Sequence, residues 1–212
     1  MLKAISVSVV MMAGMVAGAT AQSLTPEQLQ AMIDQRLEQQ NPYQALLADP
    51  DPERSLAAMQ IMLESGDQEL IRLALEFGLL SPNPKVRRIA VEALLGTGPV
   101  LSLRLDGTNV KDSQYAGVVR QRLNGTLDSN GIGFTPLTVG PLSEDGTCFL
   151  DKDANGCRFR VNADGVFLSV DDRSGNPILR ARTVVNDAGQ LAGTATLYAV
   201  DEPVPITVQL LD

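Results

Sequence analysis

Arginine residues recur in pairs, with one residue between them, along the C-terminal half of this chain. The pairs are Arg120 and Arg122, Arg158 and Arg160, and Arg180 and Arg182, with Arg104 as a further single candidate. Residues two apart on a β-strand project from the same face, so each pair predicts two neighbouring guanidinium groups. Such groups bind carboxylates and phosphates through paired hydrogen bonds. The pairs therefore form an anion-binding patch if they share one sheet face. The alternative is that they cover the outside of a sheet and pair with nearby acidic residues.

A second candidate site is the acidic segment 151–156, which resembles the opening of a calcium loop of the EF-hand type. Its oxygen ligands would be Asp151, Asp153 and Asn155. Glycine stands at the sixth position as in that loop, but Asn162 occupies the twelfth, where a bidentate glutamate belongs. A calcium site here requires Asp145 or Asp164 to complete the ligand sphere. The alternative is a metal-free turn built on Asp and Asn side chains, with no cofactor.

The chain has two cysteines, Cys148 and Cys157, which lie nine positions apart. In an oxidising compartment this spacing predicts a disulfide that closes a small hairpin. Because the spacing is not Cys-x-x-Cys, the predicted role of the disulfide is structural rather than redox.

Several reaction types are excluded by composition. The chain contains no histidine, so neither a Ser-His-Asp nor a Cys-His site can be built from it. It has no tryptophan and few other aromatic residues, which leaves little surface for stacking sugars or bases. The formal net charge of −8 argues against binding to a nucleic-acid backbone. These observations predict a protein that is not an enzyme.

The first 21 residues have the pattern of a secretory signal peptide. Lys3 precedes an apolar run over residues 4–17, and Ala19 and Ala21 give the small-x-small pattern that signal peptidase recognises. No later segment is apolar for long enough to form a membrane-spanning helix. The expected location is therefore periplasmic or secreted.

The segment 22–97 carries helix signals. Thr25 is a predicted N-cap, Asn41 and Pro42 mark a second start, and Asp67 is predicted to cap a helix that ends near residue 80. The segment 51–66 aligns without gaps onto 83–98, and in this alignment Asp51 matches Asn83 as a predicted N-cap, each followed by a proline. Over residues 41–98 the arrangement resembles about one and a half HEAT-type helical repeats. The resemblance implies a scaffold or a protein-binding surface; a small helical bundle with coincidental spacing is the alternative.

The segment 98–212 has the alternating pattern of β-strands separated by turns rich in Asn, Asp and Gly. About eight strands are predicted, over residues 101–105, 118–123, 134–139, 157–161, 166–170, 178–185, 191–200 and 204–211. Short connections without helices favour an antiparallel sandwich or a small barrel. On the strand at 157–161, Cys157, Phe159 and Val161 are expected on one face and the two arginines on the other.

The sequence thus predicts an α+β protein with three parts: a signal peptide over residues 1–21, a helical HEAT-like domain over 22–97, and an all-β domain over 98–212. The predicted function is that of an exported, non-enzymatic interaction or scaffold protein whose partner is another exported protein. The alternative is a protein that binds an anion or calcium through its β-domain. Nucleic acid and a membrane span are not expected, and the oligomeric state is left open.

Overall fold

The computed structural model describes residues 25–211, and within that range every side chain outside residues 37–41. The predicted signal peptide and its cleavage point lie outside the described residues. The chain divides into two compact units, Met1–Asn41 and Pro42–Asp212, and the first is described from residue 25 onward.

Helix α1, Pro26–Leu47, begins where the sequence predicts it. The backbone N–H of Thr25 donates to Oε1 of Gln28 at 3.1 Å, and the N–H of Gln28 donates to Oγ1 of Thr25 at 3.3 Å. This reciprocal pair is a capping box, so the predicted N-cap is confirmed. The predicted second helix start at Asn41 and Pro42 is wrong, because Pro42 lies inside α1. A proline removes one backbone hydrogen bond from a helix without having to end it.

Three helices of 13 residues each follow: α2, Pro52–Glu64; α3, Gln68–Leu80; and α4, Pro84–Gly96. Their N-caps are Asp51, Asp67 and Asn83. In each case a side-chain oxygen accepts the backbone N–H two residues further on, at 2.9 Å. These caps confirm the predicted helix starts, while the assignment of the helices to a HEAT-type repeat stays a prediction.

The rest of the chain is mainly antiparallel sheet. The strands are β1, Val100–Asp106; β2, Thr126–Leu127; β3, Ile132–Leu142; β4, Phe149–Asp151; β5, Cys157–Asn162; β6, Gly165–Asp171; β7, Pro177–Val185; β8, Leu191–Leu197; and β9, Val200–Gln209. Neighbouring strands follow the order β1-β9-β8-β7-β6-β5-β4-β3, and β1 also pairs with β3. Eight strands therefore close into a barrel. The two-residue β2 pairs with the beginning of β3.

The closure corrects one of the two predicted architectures. A sandwich leaves strand edges unpaired, whereas β1 here has ladders on both sides, with seven residue pairs to β3 and four to β9. The β-domain is a barrel and not a sandwich. Alternation of buried and exposed residues is common to both architectures, so the sequence pattern alone could not distinguish them.

The predicted strand over 118–123 is also wrong. Helix α5, Gln114–Gly117, continues there into a π-helical turn, Val118–Arg122. The buried residues of this segment are Tyr115, Val118, Val119 and Leu123, a spacing that fits one helix face. The short strands β2 and β4 are absent from the predicted set, and the predicted strand over 191–200 is divided by a turn after Leu197.

The barrel interior is filled by apolar side chains. Fully buried members include Leu103, Phe159, Leu168, Leu179, Leu191 and Val204. The same core extends into α3 and α4, which pack at the end of the barrel that carries the β7–β8 turn. Nη1 of Arg87 in α4 donates to the backbone oxygen of Val185 at 2.9 Å. The predicted domain boundary at residue 98 stays a prediction.

The opposite end of the barrel is covered by α5. The hydroxyl of Tyr115 lies 3.2 Å from the backbone oxygen of Leu105 and 3.1 Å from that of Gly131. Because helices cover both ends and side chains fill the interior, the accessible surface of the barrel is its outer face. In the described range 25–211, none of the helices combines the length and the apolar character needed to cross a membrane.

Candidate functional site

The outer face of strands β5, β6 and β7 carries four of the predicted arginines. On β5, Phe159 is buried in the barrel, while Arg158 and Arg160 project outward. On β7, Ala181 is buried, while Arg180 and Arg182 are exposed. The prediction that the members of each of these pairs share a face is confirmed, as is the inward position of Phe159.

The register between the strands arranges these side chains in two rows. Arg160 pairs with Phe167, and Phe167 pairs with Arg182. We call these three residues the Arg-Phe-Arg row. Ser169 pairs with Arg180, and Nη1 of Arg158 donates to the backbone oxygen of Ser169 at 3.1 Å, which defines a second row.

The two guanidinium groups of the Arg-Phe-Arg row are not neutralised. Nη2 of Arg182 donates to the backbone oxygen of Asp164 at 3.2 Å, and its guanidinium carbon lies 5.9 Å from the centre of the Phe167 ring. The side chain of Arg160 is exposed, and its guanidinium group makes no hydrogen bond or ion pair with any residue in the range 25–211. No carboxylate of the described residues lies within 4.0 Å of either guanidinium group. Both charges are therefore available to an anion.

The second row is partly neutralised. Nη1 of Arg180 lies 2.5 Å from Oδ1 of Asp171, which is a charge contact rather than a well-aligned hydrogen bond. Burial lowers the pKa of Arg158, and the charges of Asp151 and Asp171 act in the opposite direction. Within the described residues, Nε of Arg158 has no hydrogen-bond acceptor. This row therefore offers less free positive charge than the first.

The remaining predicted arginines do not join these rows. Arg120 and Arg122 lie on the π-helical turn, where residues two apart do not share a face. The guanidinium carbon of Arg122 is 5.3 Å from the centre of the Tyr198 ring. Arg104 is on β1, three strands away from β7, and its Nη2 is 3.1 Å from Oδ2 of Asp106. The hypothesis of one patch with all three pairs is thus wrong, because it required residues 118–123 to be a strand.

The predicted calcium loop lies at the β4–β5 turn. Oδ1 of Asp151 accepts the backbone N–H groups of Asp153 and Asn155, both at 3.0 Å, so the turn is stabilised by its own carboxylate. The β6–β7 turn is built in the same way, with Oδ1 of Asp172 accepting the N–H groups of Ser174 and Asn176. Together the two turns line a polar cleft of about 520 Å³.

The residues predicted to complete a calcium site are not close to this loop. Asp145 lies in the turn before β4 and Asp164 in the turn after β5, so a strand separates each of them from the loop. Asp171 and Asp172 face the loop across the polar cleft instead. Among the residues described, no three or more acidic or sulfur side chains form a group that could hold a metal ion. Calcium binding stays a prediction.

The predicted disulfide is present. Cys148 and Cys157 are joined with a Cα–Cα distance of 5.7 Å, and the bond links the residue before β4 to the first residue of β5. Cys157 also lines the polar cleft. The disulfide thus fixes the start of the strand that carries Arg158 and Arg160.

The aromatic member of the row could have been found from the sequence but was not. Phe167 lies between Val166 and Leu168, so an apolar run conceals its outward position. The alternation on β6, with Val166 and Leu168 buried, is the signal that places Phe167 outside. Asp171 was also missed. Its contact with Arg180 depends on how β6 and β7 pair, and the alternation of residues along a single strand does not show that pairing.

These features define an α+β protein with a closed antiparallel barrel and a partly aromatic arginine surface. No family model matches the chain, and neither the curated proteins nor the solved structures contain a significant match to it.

Proposed function

We propose that this protein is a non-enzymatic interaction protein that acts after export and binds an acidic region of another exported protein. The binding surface is the outer face of β5–β7, centred on the Arg-Phe-Arg row. The observation that carries this proposal is the register that places Arg160, Phe167 and Arg182 side by side with two unneutralised charges.

The composition of this row supports protein binding. Arginine and aromatic residues are enriched in protein interfaces, where arginine provides directed hydrogen bonds and the ring provides apolar contact area. The chain as a whole is acidic, with a formal net charge of −8, so a local positive surface favours one orientation of an acidic partner. A carboxylate can bind each guanidinium group through two hydrogen bonds.

Two further features support an extracytoplasmic location and a scaffold role for the helices. The disulfide is of the kind that persists in oxidising compartments, in agreement with a periplasmic or secreted location. Helices α2 and α4 both begin with a proline that directly follows the N-cap residue, at positions 52 and 84, which is the feature on which the resemblance to HEAT-type repeats rests. We include in the proposal that these helices form a HEAT-like scaffold for the barrel.

The test is a charge reversal at the two free arginines. The variant Arg160→Glu/Arg182→Glu is compared with Lys152→Glu/Arg173→Glu, which makes the same change in net charge at exposed positions in two turns. Cross-linked partners are captured from an extracytoplasmic extract, and binding to an immobilised polyglutamate surface is measured alongside.

We expect the first variant to bind polyglutamate at least about tenfold more weakly than the control, and the difference to shrink as salt is added. Acidic partners should be captured by the wild type and the control but not by the first variant. Equal binding and the same set of captured partners for both variants would refute the proposal.

A further inference from the structure

The geometry of the Arg-Phe-Arg row restricts the kind of partner that fits it, an inference that rests on the proposed function. We propose that the partner presents an acidic amphipathic helix that crosses β5, β6 and β7, with carboxylates at positions i and i+7 and apolar residues between them.

The orientation of the partner across the strands follows from the positions of the guanidinium groups that no carboxylate contacts. Along β5, a carboxylate moving from Arg160 toward Arg158 approaches the charges of Asp151 and Asp171, which act on Arg158. Along β7, movement from Arg182 leads to Arg180, which Asp171 already contacts. An acidic element aligned with the strands therefore meets acidic residues. Among the outward residues of β5, β6 and β7, an element that crosses the strands reaches two guanidinium groups that no carboxylate contacts.

The spacing matches that of a helix. Arg160 and Arg182 are separated by two inter-strand distances, which is about 9.6 Å between backbones. Residues i and i+7 of an α-helix lie about 10.5 Å apart on the same face. In an extended segment, residues i and i+2 are only about 6.7 Å apart, and residues i and i+3 point to opposite faces.

The central contact agrees with this choice. Phe167 lies midway between the two arginines, with its ring half-buried and close to the guanidinium group of Arg182. In a crossing helix, residues i+3 and i+4 lie on the same face between the two carboxylates. Apolar side chains at those positions would cover the ring of Phe167 and exclude water from both ion pairs.

The test uses helical peptides of identical composition, stapled on the face opposite the acidic residues. The matched peptide has Glu at i and i+7 with Leu at i+3 and i+4. In the permuted peptide the second Glu is exchanged with a neutral residue on the stapled side, so that the two carboxylates cannot face the row together. Dissociation constants are measured by fluorescence anisotropy for the wild type, Phe167→Ala, Arg160→Gln/Arg182→Gln and the turn variant Lys152→Glu/Arg173→Glu.

We expect the matched peptide to bind the wild type at least about tenfold more tightly than the permuted peptide. Phe167→Ala and Arg160→Gln/Arg182→Gln should each remove most of that difference, and the turn variant should keep it. All exchanged side chains are at least partly exposed, and thermal unfolding checks that each variant is folded.

Two contrary outcomes have different meanings. If both peptides bind equally and both lose binding in Arg160→Gln/Arg182→Gln, the helix inference is wrong and the proposed function stands. If neither peptide binds, and the charge-reversal variant of the proposed function also keeps all its partners, both are wrong.

Discussion

The disulfide between Cys148 and Cys157 is expected to contribute a substantial part of the stability of the β4–β5 hairpin. Strand β4 has only three residues, with two residue pairs to β3 and two to β5, so its hairpin has little sheet pairing of its own. The bond between Cys148 and Cys157 closes a loop with a sequence separation of nine. Removing it with Cys148→Ala/Cys157→Ala frees this loop in the unfolded chain.

The chain-entropy relation for a loop of about ten residues gives about 2.7 kcal/mol at 25 °C. We therefore expect the free energy of unfolding of the double variant to fall by about 2 to 3 kcal/mol. For a chain of this size that loss corresponds to a decrease in the melting temperature of roughly 5 to 10 °C.

The assay is urea unfolding and calorimetry of the wild type and the double variant. Wild type treated with a reductant is the matched control, because it keeps both sulfur atoms and loses only the crosslink. Hydrogen exchange at the amides of β4 shows whether the hairpin opens locally before the barrel unfolds. If the free energy of unfolding changes by less than about 1 kcal/mol and the β4 amides keep their protection, the reasoning from loop entropy is refuted.

Three further predictions concern the core, a turn and the barrel end. Phe159→Ala leaves a cavity at a fully buried position and should lower the free energy of unfolding, measured by urea titration, by about 3 to 5 kcal/mol. A loss below about 1 kcal/mol would contradict the central place of Phe159 in the core. The pKa of Asp172 is held below its ordinary value by hydrogen bonds from the side chain and backbone of Asn176. The ionised Asp172 carboxylate therefore contributes to stability above pH 3.8, and this contribution is lost as the pH falls through the lowered pKa. An NMR titration checks this, and Asn176→Ala should bring the pKa of Asp172 back toward 3.8. Tyr115→Phe removes the hydroxyl that reaches two backbone oxygens at the end of the barrel covered by α5. Thermal and urea unfolding should show a loss of about 1 to 2 kcal/mol in the free energy of unfolding. An unchanged value would show that water or another donor satisfies those oxygens equally well.

The closed barrel explains why the proposed binding surface lies outside. Side chains fill the interior, and helices cover both ends, so the barrel acts as a rigid platform for the residues on its outer face. Cross-strand pairing holds each outward residue in a fixed row. Arginine side chains on these strands therefore have more precisely fixed backbone positions than they would have on a loop. Under the proposed function, the rigid placement of Arg160 and Arg182 is what would let their spacing distinguish between partners.

Features that depend on local physics could be predicted from the sequence. Asp51, Asp67 and Asn83 act as N-caps because their side chains satisfy nearby backbone donors, and a short segment contains all the groups involved. The disulfide follows from two cysteines close together in the chain. The outward direction of Arg158 and Arg160 follows from the period of a single strand.

Features that depend on strands meeting in space were decided by the tertiary structure. The closure of β1 onto β3 makes a barrel from a pattern that fits a sandwich equally well. The helical packing of Val118 and Val119 under the barrel end removes Arg120 and Arg122 from the predicted patch. Periodicity along one segment shows which side a residue faces, but not which residue of another strand stands beside it. That second fact is set by register, and it is register that places Phe167 between Arg160 and Arg182.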